Sequence, residues 1–192
     1  TIEDQPTLIG ELKTSVLRTC SDGNQDVTIA TQRNRTLVTG YAFNPSPTMT
    51  DLSNVDEISS GEHHMCAVVN IASGNGVTKC WGLGWYGQLG NGDFDHRFTA
   101  TNTVNLPKVG HLSVGAWNSC VVIGFGSDAG KMKCWGENSH GELGRGYASG
   151  YKAIPEFVSN LTNITQVQTV GYRSCALTSS GAVKCWGSNA WG

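Results

Sequence analysis

The sequence predicts an all-β fold of repeated antiparallel units, and three observations carry that expectation. A set of motifs recurs at an interval near 54 residues. Short Val-, Ile- and aromatic-rich segments alternate with turn-forming stretches. No window places apolar residues at the i, i+3, i+4, i+7 spacing of an amphipathic helix, so little helix is expected.

The repeat is marked four times over. Cys-Trp-Gly stands at Cys80–Gly82, Cys134–Gly136 and Cys185–Gly187, at intervals of 54 and 51 residues. Upstream, a glycine followed by three or four residues and a cysteine runs Gly61 to Cys66, Gly115 to Cys120 and Gly171 to Cys175. Gly-[Gln/Glu]-Leu-Gly-x-Gly occupies 87–92 and 141–146. Leu52, Leu106 and Leu161 precede the marker glycines by nine or ten residues. A unit of short strands with this period must bury its face against the next unit, which is how propeller blades are built.

Residues 1–36 carry none of these markers and read as an N-terminal extension outside the repeats, able to donate a strand to another blade. Residues 37–192 hold the propeller repeats, in units ending near Tyr41, Trp81, Trp135 and Trp186. The first unit is irregular. Leu37–Ala42 fills the slot of Val-x-Lys-Cys-Trp-Gly without its cysteine, and the Gly-Gln-Leu-Gly loop is missing before Leu52. In the unit ending at Trp135, residues 111–117, 119–123 and 131–135 read as strands, with a turn over 126–130. Residues 73–76 and 179–181 are the matching turns of the units on either side. About three blades result, an incomplete or open array. A larger assembly is therefore expected, in which more of a longer chain or neighbouring copies cover the end blades.

Composition removes several function classes. Charged residues make up 15% of the chain against ~25% in an average soluble protein, and the net charge is −2. That excludes a polybasic nucleic-acid binder and an acidic disordered tail. No apolar run reaches the length that spans a bilayer, so no membrane insertion is expected.

The string Gly171-Tyr172-Arg173-Ser174-Cys175-Ala176-Leu177, followed by Gly181-Ala182-Val183-Lys184-Cys185-Trp186-Gly187-Ser188-Asn189, closely resembles the regulator of chromosome condensation repeat. So does Trp135-Gly136-Glu137-Asn138 with Gly141-Glu142-Leu143-Gly144. The resemblance covers roughly residues 37–192. It implies propeller blades, each a four-stranded antiparallel sheet.

Six of the seven cysteines fall in pairs inside the repeats. Pairing Cys175 with Cys185 centres the hairpin on Ser180 and sets Ala176 opposite Lys184. The same register centres Cys120–Cys134 on Ser127 and Cys66–Cys80 on Ser73. Directly opposed residues have Cβ atoms ~4.5–5.5 Å apart, within modest adjustment of bonding distance. Each blade is therefore expected to carry a disulfide, worth about 3 kcal/mol in the chain-entropy model. Reduced cysteines acting as small apolar spacers are the alternative. Cys20 is left unpaired within the repeats. Disulfides imply an oxidising compartment, and the sequons at Asn34, Asn160 and Asn163 point the same way, towards a secreted glycoprotein.

Candidate chemistry is sparse. His63-His64 cannot both face one ion from a straight strand. Asn91–Asp95 alternates oxygen ligands like a calcium loop but lacks the downstream bidentate glutamate. Glu62, Glu137 and Glu142 offer carboxylates, but no two share an expected site. No enzyme, metal or cofactor is expected. Trp81, Trp135 and Trp186 recur at one repeat position and read as packing residues between blades. Trp85, Trp117 and Trp191 lie in loops and are the candidate ligand contacts.

The expected function is thus a non-catalytic extracellular interaction or structural module, part of a larger glycoprotein assembly. Its partners would be other protein subunits or the rest of a longer chain, with glycans as a further candidate ligand and nucleic acid excluded. A carbohydrate-binding propeller is the alternative. The resemblance adds a third reading, small-GTPase nucleotide exchange with chromatin docking.

Overall fold

A computed structural model describes residues 18–21, 26–32, 35–39, 48–50, 52, 54–71, 76–106 and 108–190, with side-chain surroundings from Leu52 onward. Among them every regular element longer than one residue is a strand. Each strand pairs antiparallel with its neighbour in sequence, giving four separate sheets.

The first sheet runs β1 (Arg18–Ser21), β2 (Asp26–Gln32), β3 (Arg35–Thr39) and β4 (Thr48–Thr50). It adds a fourth sheet to the three blades that the motifs mark, with strands on both sides of the expected boundary at residue 36. The β2–β3 hairpin straddles that boundary, with Gln32 paired to Arg35 and Ala30 to Leu37. Strands β1 and β2 pair within this sheet, Cys20 against Val27. The alternation of Val27 and Ile29 with Thr28 and Ala30 suits a strand, but the sheet has neither the cysteine pair nor the loop motif that marks the others.

The second sheet holds β5 (Val55–Ser60), β6 (His64–Val69), β7 (Val77–Gly82) and β8 (Arg97–Asn102). The third holds β9 (Val109–Val114), β10 (Asn118–Ile123), β11 (Met132–Glu137) and β12 (Tyr151–Phe157). The fourth has three strands among the described residues, β13 (Ile164–Val170), β14 (Arg173–Thr178) and β15 (Val183–Gly187).

Register places Cys66 opposite Cys80, Cys120 opposite Cys134 and Cys175 opposite Cys185. The Cα atoms of each pair are 4.1 Å apart, and each pair is joined by a disulfide. At Trp81 and Trp135 the pairing with the outer strand slips between cysteine and glycine. The following glycines take φ of 112° and 103°, which a side chain rarely adopts. The bulge bends the strand locally, beside an indole that is buried at both positions.

Strands β6 and β10 are buried on both faces because a sheet lies on each side of them. The apolar clusters lie between sheets: Val68, Leu89, Leu112 and Trp135 fill one, and Val122, Leu143, Val167 and Ala176 the next. First strands of successive sheets are also tied directly. Ser59 Oγ accepts the Val114 amide at 3.1 Å, and Ser113 Oγ accepts the Thr169 amide at 2.9 Å. Blade stacking is both apolar and hydrogen-bonded.

Candidate interaction rim

The Gly-[Gln/Glu]-Leu-Gly loop locks each blade to the next. The Gln88 side chain accepts the Tyr86 amide at 2.9 Å, and Glu142 accepts the His140 amide at 2.9 Å, so each loop closes on itself. The backbone carbonyl at the same position then faces the following blade. Gln88 O accepts Trp135 Nε1 at 2.8 Å and Ser119 Oγ at 3.2 Å. Glu142 O accepts Trp186 Nε1 at 2.8 Å and Ser174 Oγ at 3.0 Å. Leu89 and Leu143 are fully buried anchors. Gly90 lies against the Trp135 indole, where a Cβ would come within 2.6 Å of its nitrogen. Trp81 Nε1 is buried without a partner among the described residues, and the sequence before it lacks this loop.

Because strands alternate in direction, the β5–β6 turn and β7–β8 loop open at one end of a sheet. The β6–β7 turn and the linker to the next sheet open at the other. At the first end, His63, Trp117 and Tyr172 each stand three residues before their blade's first cysteine. Their carbonyls are held alike, accepting the amides of Leu83, Glu137 and Ser188 at 2.9, 3.0 and 2.9 Å. His63 stacks on Trp117 at 3.7 Å between ring centroids. Tyr86 meets Trp117 edge-on and lies beside Tyr151, both at 4.8 Å, and His140 lies 4.8 Å from Tyr172. Burial pushes the Tyr172 phenol above its ordinary pKa, the charge on Glu137 adds to this, Trp117 opposes it through a hydrogen bond, and Glu62 adds a smaller push. The result is an aromatic rim with two carboxylates.

Of the candidate contact residues, Trp117 is in this rim, while Trp85 is 53% exposed and packs edge-on against His96 at 4.8 Å. Trp191 lies outside the described residues, as do Asn34 and the side chain of Cys20. Asn160 and Asn163 are exposed on the linker before β13, at the end opposite the rim. His63 and His64 diverge as a strand requires. His64 is buried, and its Nε2 lies 2.6 Å from Ser119 Oγ. The 91–95 loop is organised by protein groups, with Asp93 accepting Asn91 Nδ2 and the Asp95 amide at 3.0 Å and pairing with Arg97. Among the described residues no three His, Cys, Asp or Glu converge as metal ligands, and no helix is long and apolar enough to cross a membrane.

Sequence reasoning missed Tyr86, His140 and Tyr151, and it kept Glu62 and Glu137 apart. The available signal was positional. Tyr86 and His140 are 54 residues apart, as are His63 and Trp117, so the repeat itself places them at equivalent points.

The Regulator of chromosome condensation (RCC1) repeat matches residues 164–190. The human probable E3 ubiquitin-protein ligase HERC6 is 36% identical over 143 residues, 72% of this chain and 13% of that protein. Human HERC2 is 32% identical over 145 residues, 69% of this chain and 3% of that protein. Yeast RCC1 (Prp20), solved bound to Kap60, superimposes with a TM-score of 0.70 at 16% identity, over 93% of this chain and 45% of its own. The ectodomain of the Arabidopsis thaliana receptor kinase ACR4 gives 0.53 at 16% identity, over 84% of this chain and 52% of its own. The chain belongs to the RCC1 repeat family. It spans a small part of the HERC proteins and about half of these solved structures.

Proposed function

We propose that this chain is a non-catalytic interaction module of an extracellular glycoprotein, presenting the aromatic rim to a protein partner. The observation that carries the reading is the disulfide in each of three successive RCC1 blades. Cysteine pairs in register suit an oxidising compartment. The exposed sequons at Asn160 and Asn163 stand at the end away from the rim, where glycans would leave it open. The structurally similar ACR4 chain is the ectodomain of a receptor kinase, which supports an extracellular use of this fold. Prp20p, another structural relative, was studied for binding to Gsp1p and histones. That supports protein partners in general, while the carboxylates at this rim run against docking on a phosphate backbone.

The test is expression of the full chain through a secretory pathway, followed by non-reducing peptide mapping and glycosidase treatment. Three intrablade disulfides in the secreted chain, with sugar released from Asn160 or Asn163, are expected. Free thiols at all six positions with bare asparagines would overturn the extracellular reading.

A further inference from the structure

We infer that the rim takes a lysine- or arginine-bearing segment of its protein partner, a specification that rests on the interaction-module reading above. Three features of the rim select that chemistry. The first is ring packing. His63 covers one face of Trp117 and Tyr86 abuts it edge-on, so the indole is not the bare platform on which a sugar ring would stack. The second is what stays open. Tyr151 is 46% exposed and Tyr172 41% exposed, and the faces of such rings carry partial negative charge that attracts a cation.

The third is uncompensated charge. The carboxylates of Glu62 and Glu137 both act on the Tyr172 phenol. Among the described residues neither pairs with a lysine or arginine. Glu62 has His63 Nε2 at 3.8 Å, and Glu137 Oε1 accepts Ser139 Oγ at 2.9 Å. Of the nearby cations, Arg173 Nε donates to Ser188 O at 2.9 Å and Lys152 Nζ is 3.8 Å from Glu156, and neither contacts Glu62 or Glu137 among the described residues. Two carboxylates beside open aromatic faces complement a guanidinium or ammonium group.

The test uses the full disulfide-bonded chain and a labelled short polyarginine peptide, followed by fluorescence anisotropy. A polyglutamate peptide and a chito-oligosaccharide serve as the other arms. Binding of polyarginine alone is expected, weakened about tenfold in the E62Q/E137Q variant and by added salt. The D56N/D128N variant removes the same charge from the opposite end and should bind like the parent chain. Equal weakening in both variants would mean that only net charge matters and would overturn the proposal. So would binding of the oligosaccharide instead, or no binding of polyarginine. These results leave the disulfide and glycan mapping unaffected, so the rim proposal can fail while the extracellular reading stands.

Discussion

Two blade interfaces are built from the same positions and end in different environments. Between the second and third sheets, Trp135 is fully buried and donates to Gln88 O; between the third and fourth, Trp186 makes the same bond to Glu142 O and is only half-buried. The disulfides follow suit. Cys66, Cys80, Cys120 and Cys134 are inaccessible, whereas Cys185 is exposed. The repeat motif therefore sets which atoms meet, and the presence of a further sheet sets how much those contacts are worth. Val183, at 65% exposure, shows a face of the fourth sheet on which no described sheet packs.

The largest effect should come from the two tryptophans. Trp135→Ala removes a buried indole and leaves the Gln88 carbonyl with only Ser119, at a cost of about 3–5 kcal/mol. Trp186→Ala removes the same hydrogen bond but less buried area, and should cost roughly half as much. Urea unfolding of the two variants measures the difference. Equal losses would show that the hydrogen-bonded loop, and not burial, dominates the interface.

These interfaces also show what the sequence made legible. Cysteine register was readable because local spacing within one hairpin fixes it, and blade stacking was readable from the repeat period; the bulge at Cys-Trp-Gly was not. The sheet of β1–β4 was not, because it lacks the paired cysteines and the loop glycines that advertise its neighbours. The rim was half-readable. Trp117 stood out as a loop aromatic, but Tyr86 and Glu137 acquire meaning only when adjacent blades bring them to His63 and Tyr172. Contacts between repeats depend on blade-to-blade rotation, which no motif encodes.

Next in size are the disulfides. Loops of 14 and 10 residues are closed by Cys120–Cys134 and Cys175–Cys185, so loss of either should cost about 3 kcal/mol through the unfolded chain. Replacing Cys120 and Cys134 with alanine adds a packing loss in a filled core, and the exposed Cys185 pair adds little. Thermal unfolding under non-reducing conditions should rank the Cys120/Cys134 variant as the less stable. Mild reductant should open Cys175–Cys185 first, because Cys185 is exposed while both cysteines of each other pair are inaccessible. Simultaneous reduction of all three would erase the distinction between the interfaces.

The smallest effect separates the interfaces by pH. At equivalent positions two residues before the first cysteine, the inner interface has His64 and the next has Asn118, whose Nδ2 lies 3.4 Å from Ser174 Oγ. His64 is buried with its Nε2 2.6 Å from Ser119 Oγ, a hydroxyl that also faces Gln88 O at 3.2 Å. Acid would place a charge there. Burial, reinforced by the neighbouring His63 and partly offset by the Ala116 backbone, lowers the His64 pKa from 6.5 to about 3. The unfolded chain therefore binds the proton first as pH falls. Stability is full above about pH 6.5 and declines towards pH 3, with a loss on the order of 3 kcal/mol by about pH 4.5. His64→Asn would copy the second interface into the first. Its urea midpoint should fall less steeply between pH 6.5 and 4.5 than that of the parent chain, and parallel pH profiles would show that His64 is not the acid-sensitive group.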